Sequence, residues 1–322
     1  MDKIAVLIPC YNEAKTISKV VNDCQNAVKN IPNSVIYVYD NNSTDDTVKL
    51  AKEAGAVVRH EYMQGKGNVI RRMFREIDAE CYIMIDGDDT YPAEEIPKMA
   101  EYVLNQKYDM VVGDRLSSSY FEENKRPFHG IGNKLVRGSI NFFFHNDIRD
   151  IMTGYRAFSP EFVKTYPVLS HGFEIETEMS IFATVNNLAV KNHVIEYRDR
   201  PAGSESKLNT YSDGFKVLRL IVTLYRNYKP FRFYGFLALL LIIIASLVFI
   251  PHVWVPYHLT GKVANMPTLV VCGFAAIAAI ISFYTGLLLD SIQRKERREF
   301  EFRLHEIHFL INKNFFINKN NE

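Results

Sequence analysis

This sequence is short of cysteine, tryptophan and net charge: four Cys, one Trp, and 38 Lys and Arg against 37 Asp and Glu in 322 residues. Cys10, Cys24, Cys81 and Cys272 have neither metal-ligand spacing nor the density of a disulfide scaffold. Buried, neutral thiols are expected. The balanced charge, a formal +1, removes the basic field on which a nucleic-acid binder depends. No apolar run opens the chain. The first long one begins after residue 230, too late for a signal peptide. No repeat of solenoid period is present.

What is there falls into two unlike parts. Residues 233–255 and 268–289 contain no Asp, Glu, Lys or Arg. Each reaches the roughly 20 residues that a helix needs to cross the hydrocarbon core. Arg219, Arg226, Lys229 and Arg232 precede the first run, and Arg294, Lys295, Arg297 and Arg298 follow the second. The connection between them holds only Lys262. Basic flanks prefer the cytoplasmic side, so a membrane hairpin with both ends cytoplasmic is expected. Tyr211, Phe215, Leu218, Val222 and Tyr225 make one helical face just before it. That face suits either a leaflet surface or the soluble domain. Phe300, Leu304, Ile307 and Ile311 repeat the pattern in the tail, for a second copy of the chain or the membrane surface.

The N-terminal part alternates short apolar runs (4–8, 35–39, 56–60, 81–85 and 110–113) with helical patterns such as Ile17, Val20, Val21, Cys24 and Val28. Alternation of this kind predicts βαβ units and a parallel sheet. Ligands of such sheets sit beyond the carboxyl ends of the strands. Pro9-Cys10-Tyr11-Asn12-Glu13 follows the first run, and Asp40-Asn41-Asn42-Ser43-Thr44-Asp45-Asp46-Thr47 the second. Gly65-Lys66-Gly67 follows the third, Asp86-Gly87-Asp88-Asp89 the fourth, and Asp114-Arg115 the fifth. Helix capping would account for Ser43-Thr44-Asp45 alone, and Gly65-Lys66-Gly67 lacks P-loop spacing. Three carboxylates within four residues repel one another, however, and a divalent cation would relieve them.

Taken together, these loops resemble the inverting glycosyltransferases of family 2, which have the nucleotide-sugar-binding fold called GT-A. Thr153-Gly154-Tyr155-Arg156, Gly172-Phe173-Glu174 and Arg200-Pro201-x-Gly203-Ser204-x-Ser206-Lys207 extend the match. With the apolar hairpin they resemble the polyprenyl-phosphate glycosyltransferases, the group of dolichyl-phosphate mannose synthase and undecaprenyl-phosphate glucosyltransferases. The resemblance implies an α/β GT-A catalytic domain over 1–210, a juxtamembrane helix over 211–232, two transmembrane helices within 233–289 and a cytoplasmic tail helix over 290–322. It implies that Pro9, Tyr11, Glu13, Asp40, Asn41, Lys66 and Asp86 bind a UDP- or GDP-linked sugar. Asp86 and Asp88 would hold Mg2+ or Mn2+. Arg115, Arg156, Arg200 and Lys207 would contact the lipid acceptor's phosphate, with Arg115 near the reaction. Many relatives have Asp where Asn41 stands, and some have Gln where Thr90 stands. Glu174 is a possible site residue, whereas Glu176 and Glu178 are expected to be solvated. Transfer of one hexose to a polyprenyl phosphate is the implied activity. A membrane-anchored transferase for a glycan or a lipid-linked saccharide, and a non-catalytic nucleotide-sugar scaffold, are the alternatives.

Overall fold

The computed structural model describes residues 1–117, 138, 147–198 and 210–319. They form two units: Met1–Leu220 with Phe302–Glu322, and Ile221–Glu301.

The first unit is built on a seven-stranded sheet of order β3-β2-β1-β4-β6-β5-β7. Strands β1 (Asp2–Cys10), β2 (Ser34–Asp40), β3 (Val57–His60) and β4 (Ala79–Met84) run parallel. They are linked by helices α1 (Ile17–Val28), α2 (Thr47–Glu53) and α3 (Lys66–Glu76). Helix α4 (Ile96–Leu104) leads to β5 (Met110–Asp114). The three residues of β6 (Arg156–Phe158) lie antiparallel between β4 and β5. Helices α5 (Pro160–Thr165) and α6 (Ile175–Val185) precede β7 (Val190–Val194), which is parallel to β5. The sheet is thus the mostly parallel α/β type expected.

The central strands read as unbroken apolar runs because they are covered on both faces. Ile4, Ala5, Val6, Leu7 and Ile8 are fully buried. Helix α1 turns Ile17, Val20, Val21, Cys24 and Val28 inward. All four cysteines are buried thiols without disulfides. Burial pushes the Cys24 thiol up to about 12.

Register positions the site. Cys10 pairs with Asp40, and Asp40 with His60. The carboxyl ends of β1, β2 and β3 therefore stop in line, and Leu7 pairs with Met84 of β4. The loops that follow open on one sheet edge.

The second unit begins within α7 (Thr210–Tyr228). Helix α8 (Pro230–Phe249) continues through a π turn at Ile250–Trp254 into α9 (Val255–Thr260). Pro251 in that turn has no N–H to donate, so regular α bonding lapses there. Helix α10 (Met266–Lys319) is continuous over 54 residues, so the second apolar run and the tail pattern share one helix. Pro230–Thr260 and Met266–Ile311 are each long and apolar enough to cross a membrane. A Cβ on Gly286 would lie 3.1 Å from Tyr234 Cβ, so the absent side chain lets α8 and α10 approach closely.

Candidate active site

The first two loops close on each other. Asn12, at φ 53°, donates its N–H to Ser43 Oγ at 2.9 Å, and its Oδ1 accepts from Thr44 N at 2.7 Å. Glu13 N donates to Thr47 Oγ1 at 2.8 Å. Partial burial works against the Asp45 charge, but hydrogen bonds from Thr47 and the Ala14 N–H hold its carboxyl below the usual range. Ser43, Thr44 and Asp45, which do not cap α2, thus tie β1's loop to β2's loop. Tyr11 stays accessible at this edge, 38% exposed.

Asp40 is buried. Its carboxylate accepts from Ser43 N at 3.2 Å and pairs with His60 Nδ1 at 2.9 Å. Asn41 faces elsewhere. Its amide donates to the Glu61 and Met63 carbonyls at 2.8 and 2.9 Å, and its oxygen accepts from Gly65 N at 2.7 Å. An aspartate could not make the two donations. The Asn41 side chain thus latches the loop before α3.

That latch presents Lys66. Its ammonium lies 2.6 Å from Asp86 Oδ1 and 2.7 Å from Glu176 Oε1, with the Phe173 ring centroid at 5.9 Å. Burial disfavours its charge, but the Asp86 and Glu176 carboxylates prevail and raise Lys66 far above its ordinary value. Glu176 shifts upward because burial outweighs the attraction of Lys66. The flanking glycines allow this approach. A Cβ on Gly65 would lie 2.2 Å from the His171 carbonyl oxygen, and one on Gly67 2.1 Å from that of Ser170. Gly65 also holds φ at 129°, which L side chains rarely adopt. Gly65-Lys66-Gly67 is thus a seat for residues 170–171 that aims one lysine at Asp86.

The model for "Glycosyl transferase family 2" matches residues 5–166. Glycosyltransferase AglJ of Haloferax volcanii is 34% identical over 238 residues, 73% of this chain and 76% of the relative. This chain belongs to glycosyl transferase family 2. A dolichyl-phosphate hexose transferase of the same organism is 27% identical over 227 residues, 69% of this chain and 93% of the relative. Among solved structures, glucosyl-3-phosphoglycerate synthase from Mycobacterium tuberculosis, in complex with Mn2+, UDP-glucose and phosphoglyceric acid, superposes with a TM-score of 0.55. It is 20% identical, and the match covers 70% of this chain and 79% of that one. The GT-A fold is shown by that likeness.

In this family 2 chain the acidic loop after β4 divides its labour. Asp88 is buried, and its Oδ1 accepts from Thr90 Oγ1 at 2.6 Å and from Thr90 N at 3.3 Å. Asp89 takes φ 59° and pairs instead with Lys19 at 2.6 Å. Among the described residues no group of three or more His, Cys, Asp or Glu could hold a metal ion. Two hard carboxylates, Asp86 and Asp88, suit a cation that keeps waters and takes substrate phosphates for its other positions. The residues therefore fit Mg2+ or Mn2+ as part of a donor complex, not as a cage built by the protein.

Two arginines of the expected acceptor set, Arg156 and Arg115, are engaged by neighbouring residues. Arg156 is fully buried. It donates to the Thr153 and Ile151 carbonyls at 3.0 and 2.6 Å and to Ser180 Oγ at 3.0 Å. Burial pushes its guanidinium down to about 10. It braces β6. Arg115 grips the buried Asp150 through Nε and Nη2, at 2.7 and 3.1 Å, and lies over the Tyr91 and Tyr197 rings. Burial opposes its charge, but Asp150 outweighs that and raises Arg115 well above its ordinary value. Arg200 and Lys207 lie outside the described residues.

The glutamates of α6 are corrected. Glu176 is the buried partner of Lys66, and Glu178, also buried, accepts from Ser170 N at 2.9 Å. Both occupy the first turn of α6, where the helix dipole favours carboxylates. Glu174 accepts from Gly172 N at 3.2 Å. Sequence reasoning treated Glu176 as solvated because i and i+2 lie on different faces of a helix. Helix α6, however, is buried nearly all round, and its apolar neighbours Ile175, Met179, Ile181 and Phe182 were the available signal. Gly154, singled out only as part of the Thr153–Arg156 motif, lies against Asp86. A Cβ there would lie 2.3 Å from Asp86 Oδ2. The buried Tyr91 hydroxyl accepts from Gly154 N at 3.0 Å and holds that backbone against the carboxylate.

Proposed function

We propose that this chain is a membrane-anchored hexosyltransferase that moves one sugar from a nucleotide sugar to a polyprenyl phosphate, with inversion, at the cytoplasmic leaflet. The observation that carries the reading is the Asp86–Lys66–Glu176 cluster, with Glu176 buried and Asp88 two residues on from Asp86, at the carboxyl edge of a family 2 sheet. The relative named as a dolichyl-phosphate hexose transferase matches over 93% of its own length, which supports the acceptor class. The two long apolar helices supply a reason for a lipid acceptor.

Tyr11, Glu13 and Asp40 border the space for the nucleoside, with His60 steadying Asp40. Asp86 and Asp88 would hold Mg2+ or Mn2+, which would supply Lewis-acid stabilisation of the leaving diphosphate. Lys66 adds fixed positive charge beside that diphosphate, in a site that excludes water. A phosphate monoester acceptor has a second pKa of about 6, so it arrives already ionised and needs no general base. Bringing two anions together needs cations, and Arg115, Arg200 and Lys207 are candidates for the acceptor side.

Purified full-length protein is incubated with short-chain polyprenyl phosphate and a panel of UDP- and GDP-sugars. One lipid-linked hexose that disappears with chelator is expected. Transfer to soluble glycan acceptors alone would replace this reading.

A further inference from the structure

The corner between α7 and α8 gathers cations that the reaction does not use. Lys229 forms that corner, with φ −131° and ψ 51°, and hands the chain on to Pro230. Helix α10 packs against it. The Gln293 amide, oriented so that both its ends are satisfied, donates to the Asn227 carbonyl at 3.2 Å. Arg297 lies one turn beyond Gln293 and so on the same side of α10. Around Lys229, burial, Arg297 and Arg232 all act against its charge, and the attraction of Asp290 does not compensate. Asp290 is itself engaged by Arg294 at 2.8 Å. Among the described residues, Arg297 Nε is buried without a hydrogen-bond partner. Arg232 is exposed, but Lys229 and Arg297 are partly buried, and flanking charges that merely face water would not be left with a buried, unsatisfied donor.

We propose that Lys229, Arg232 and Arg297 form an anion site for one lipid phosphate at headgroup depth. Converging cations with a buried unpaired N–H need an oxyanion, and a guanidinium meets phosphate oxygens in a fixed fork. The inference rests on the reading that α8 and α10 lie in a bilayer, because the corner stands where both apolar runs end. Two sources share this chemistry: the phosphate monoester of a polyprenyl phosphate and the phosphodiester of an anionic phospholipid.

Native mass spectrometry of the full-length protein in detergent tests it. Phosphatidylglycerol, short-chain polyprenyl phosphate and phosphatidylcholine are offered in turn. Retention of one anionic lipid per chain is expected. Lys229→Gln and Arg297→Gln should each lower it about fivefold, and Lys229→Arg should preserve it. Arg298→Gln makes the same charge change elsewhere on α10 and should leave retention intact. Selective retention of the polyprenyl phosphate assigns the site to the acceptor, and of phosphatidylglycerol to a structural lipid. Equal retention of phosphatidylcholine, or an equal loss in Arg298→Gln, overturns the site. Alkaline extraction of the same membranes separates the two claims. A chain that washes off overturns the spanning reading and the site with it, whereas a chain that stays without lipid selectivity overturns the site alone.

Discussion

Gly154 has no side chain because Asp86 is already there. An added methyl would stand 2.3 Å from Oδ2, and Tyr91 holds the backbone so that it cannot retreat. Gly154→Ala should therefore displace the carboxylate by a fraction of an ångström to an ångström. Such misplacement lowers turnover about 100-fold, measurable as kcat in a variant that still folds. Glu176 acts on the same carboxylate through Lys66. Glu176→Gln removes one charge from a buried pair and should destabilise the protein by about 2 kcal/mol in denaturant unfolding. Glu178→Gln keeps an acceptor oxygen for Ser170 N and should change stability and activity little.

Among the elements, the legible strands were those buried on both faces. Residues 4–8 and 81–85 show as apolar runs because parallel strands leave no face for water. Strand β6 was illegible: it has three residues and begins with Arg156, a side chain that pattern reasoning sends to the surface. The carbonyls of residues 151 and 153, the Ser180 hydroxyl and the Met110 sulfur make its burial tolerable. Strand β7, Val-Lys-Asn-His-Val, hides for a similar reason, since it is only partly covered. In the site, the loops following the strands could be read from order and spacing. The Lys66–Glu176 contact could not, because it joins residues 110 positions apart.

One element-level contact has a pH signature. Glu76 on α3 binds Arg72, Arg59 of β3 and the Tyr39 hydroxyl of β2. Burial works against its charge, but those partners outweigh it and lower its carboxyl below 4.5. A depressed acid contributes stability that is fully present above the unfolded value and is lost as pH falls through the folded one. The gap in melting temperature between wild type and Glu76→Gln should therefore be largest at neutral pH and narrow below about 4.5. A gap that widens on acidification would contradict the assignment.

For the molecule as a whole, the account joins a nucleotide-sugar fold to two helices with the length and composition of membrane spans. Alkaline carbonate should leave the full chain in the membrane pellet, and protease added to inside-out vesicles should reach residues before 220. Protection of those residues would place the fold on the other side. Under the proposed function a tethered enzyme would meet a lipid-linked acceptor at high effective concentration, a physical reason for carrying both parts on one chain.

The most direct measurement is transfer of label from the nucleotide sugar to short-chain polyprenyl phosphate by wild type, Asp88→Asn and Asp89→Asn side by side. Asp88 faces the donor in this account, whereas Asp89 is spent on Lys19. Lipid-linked product from wild type and Asp89→Asn, with Asp88→Asn reduced at least about 100-fold, is the predicted result. Normal product from Asp88→Asn would contradict it.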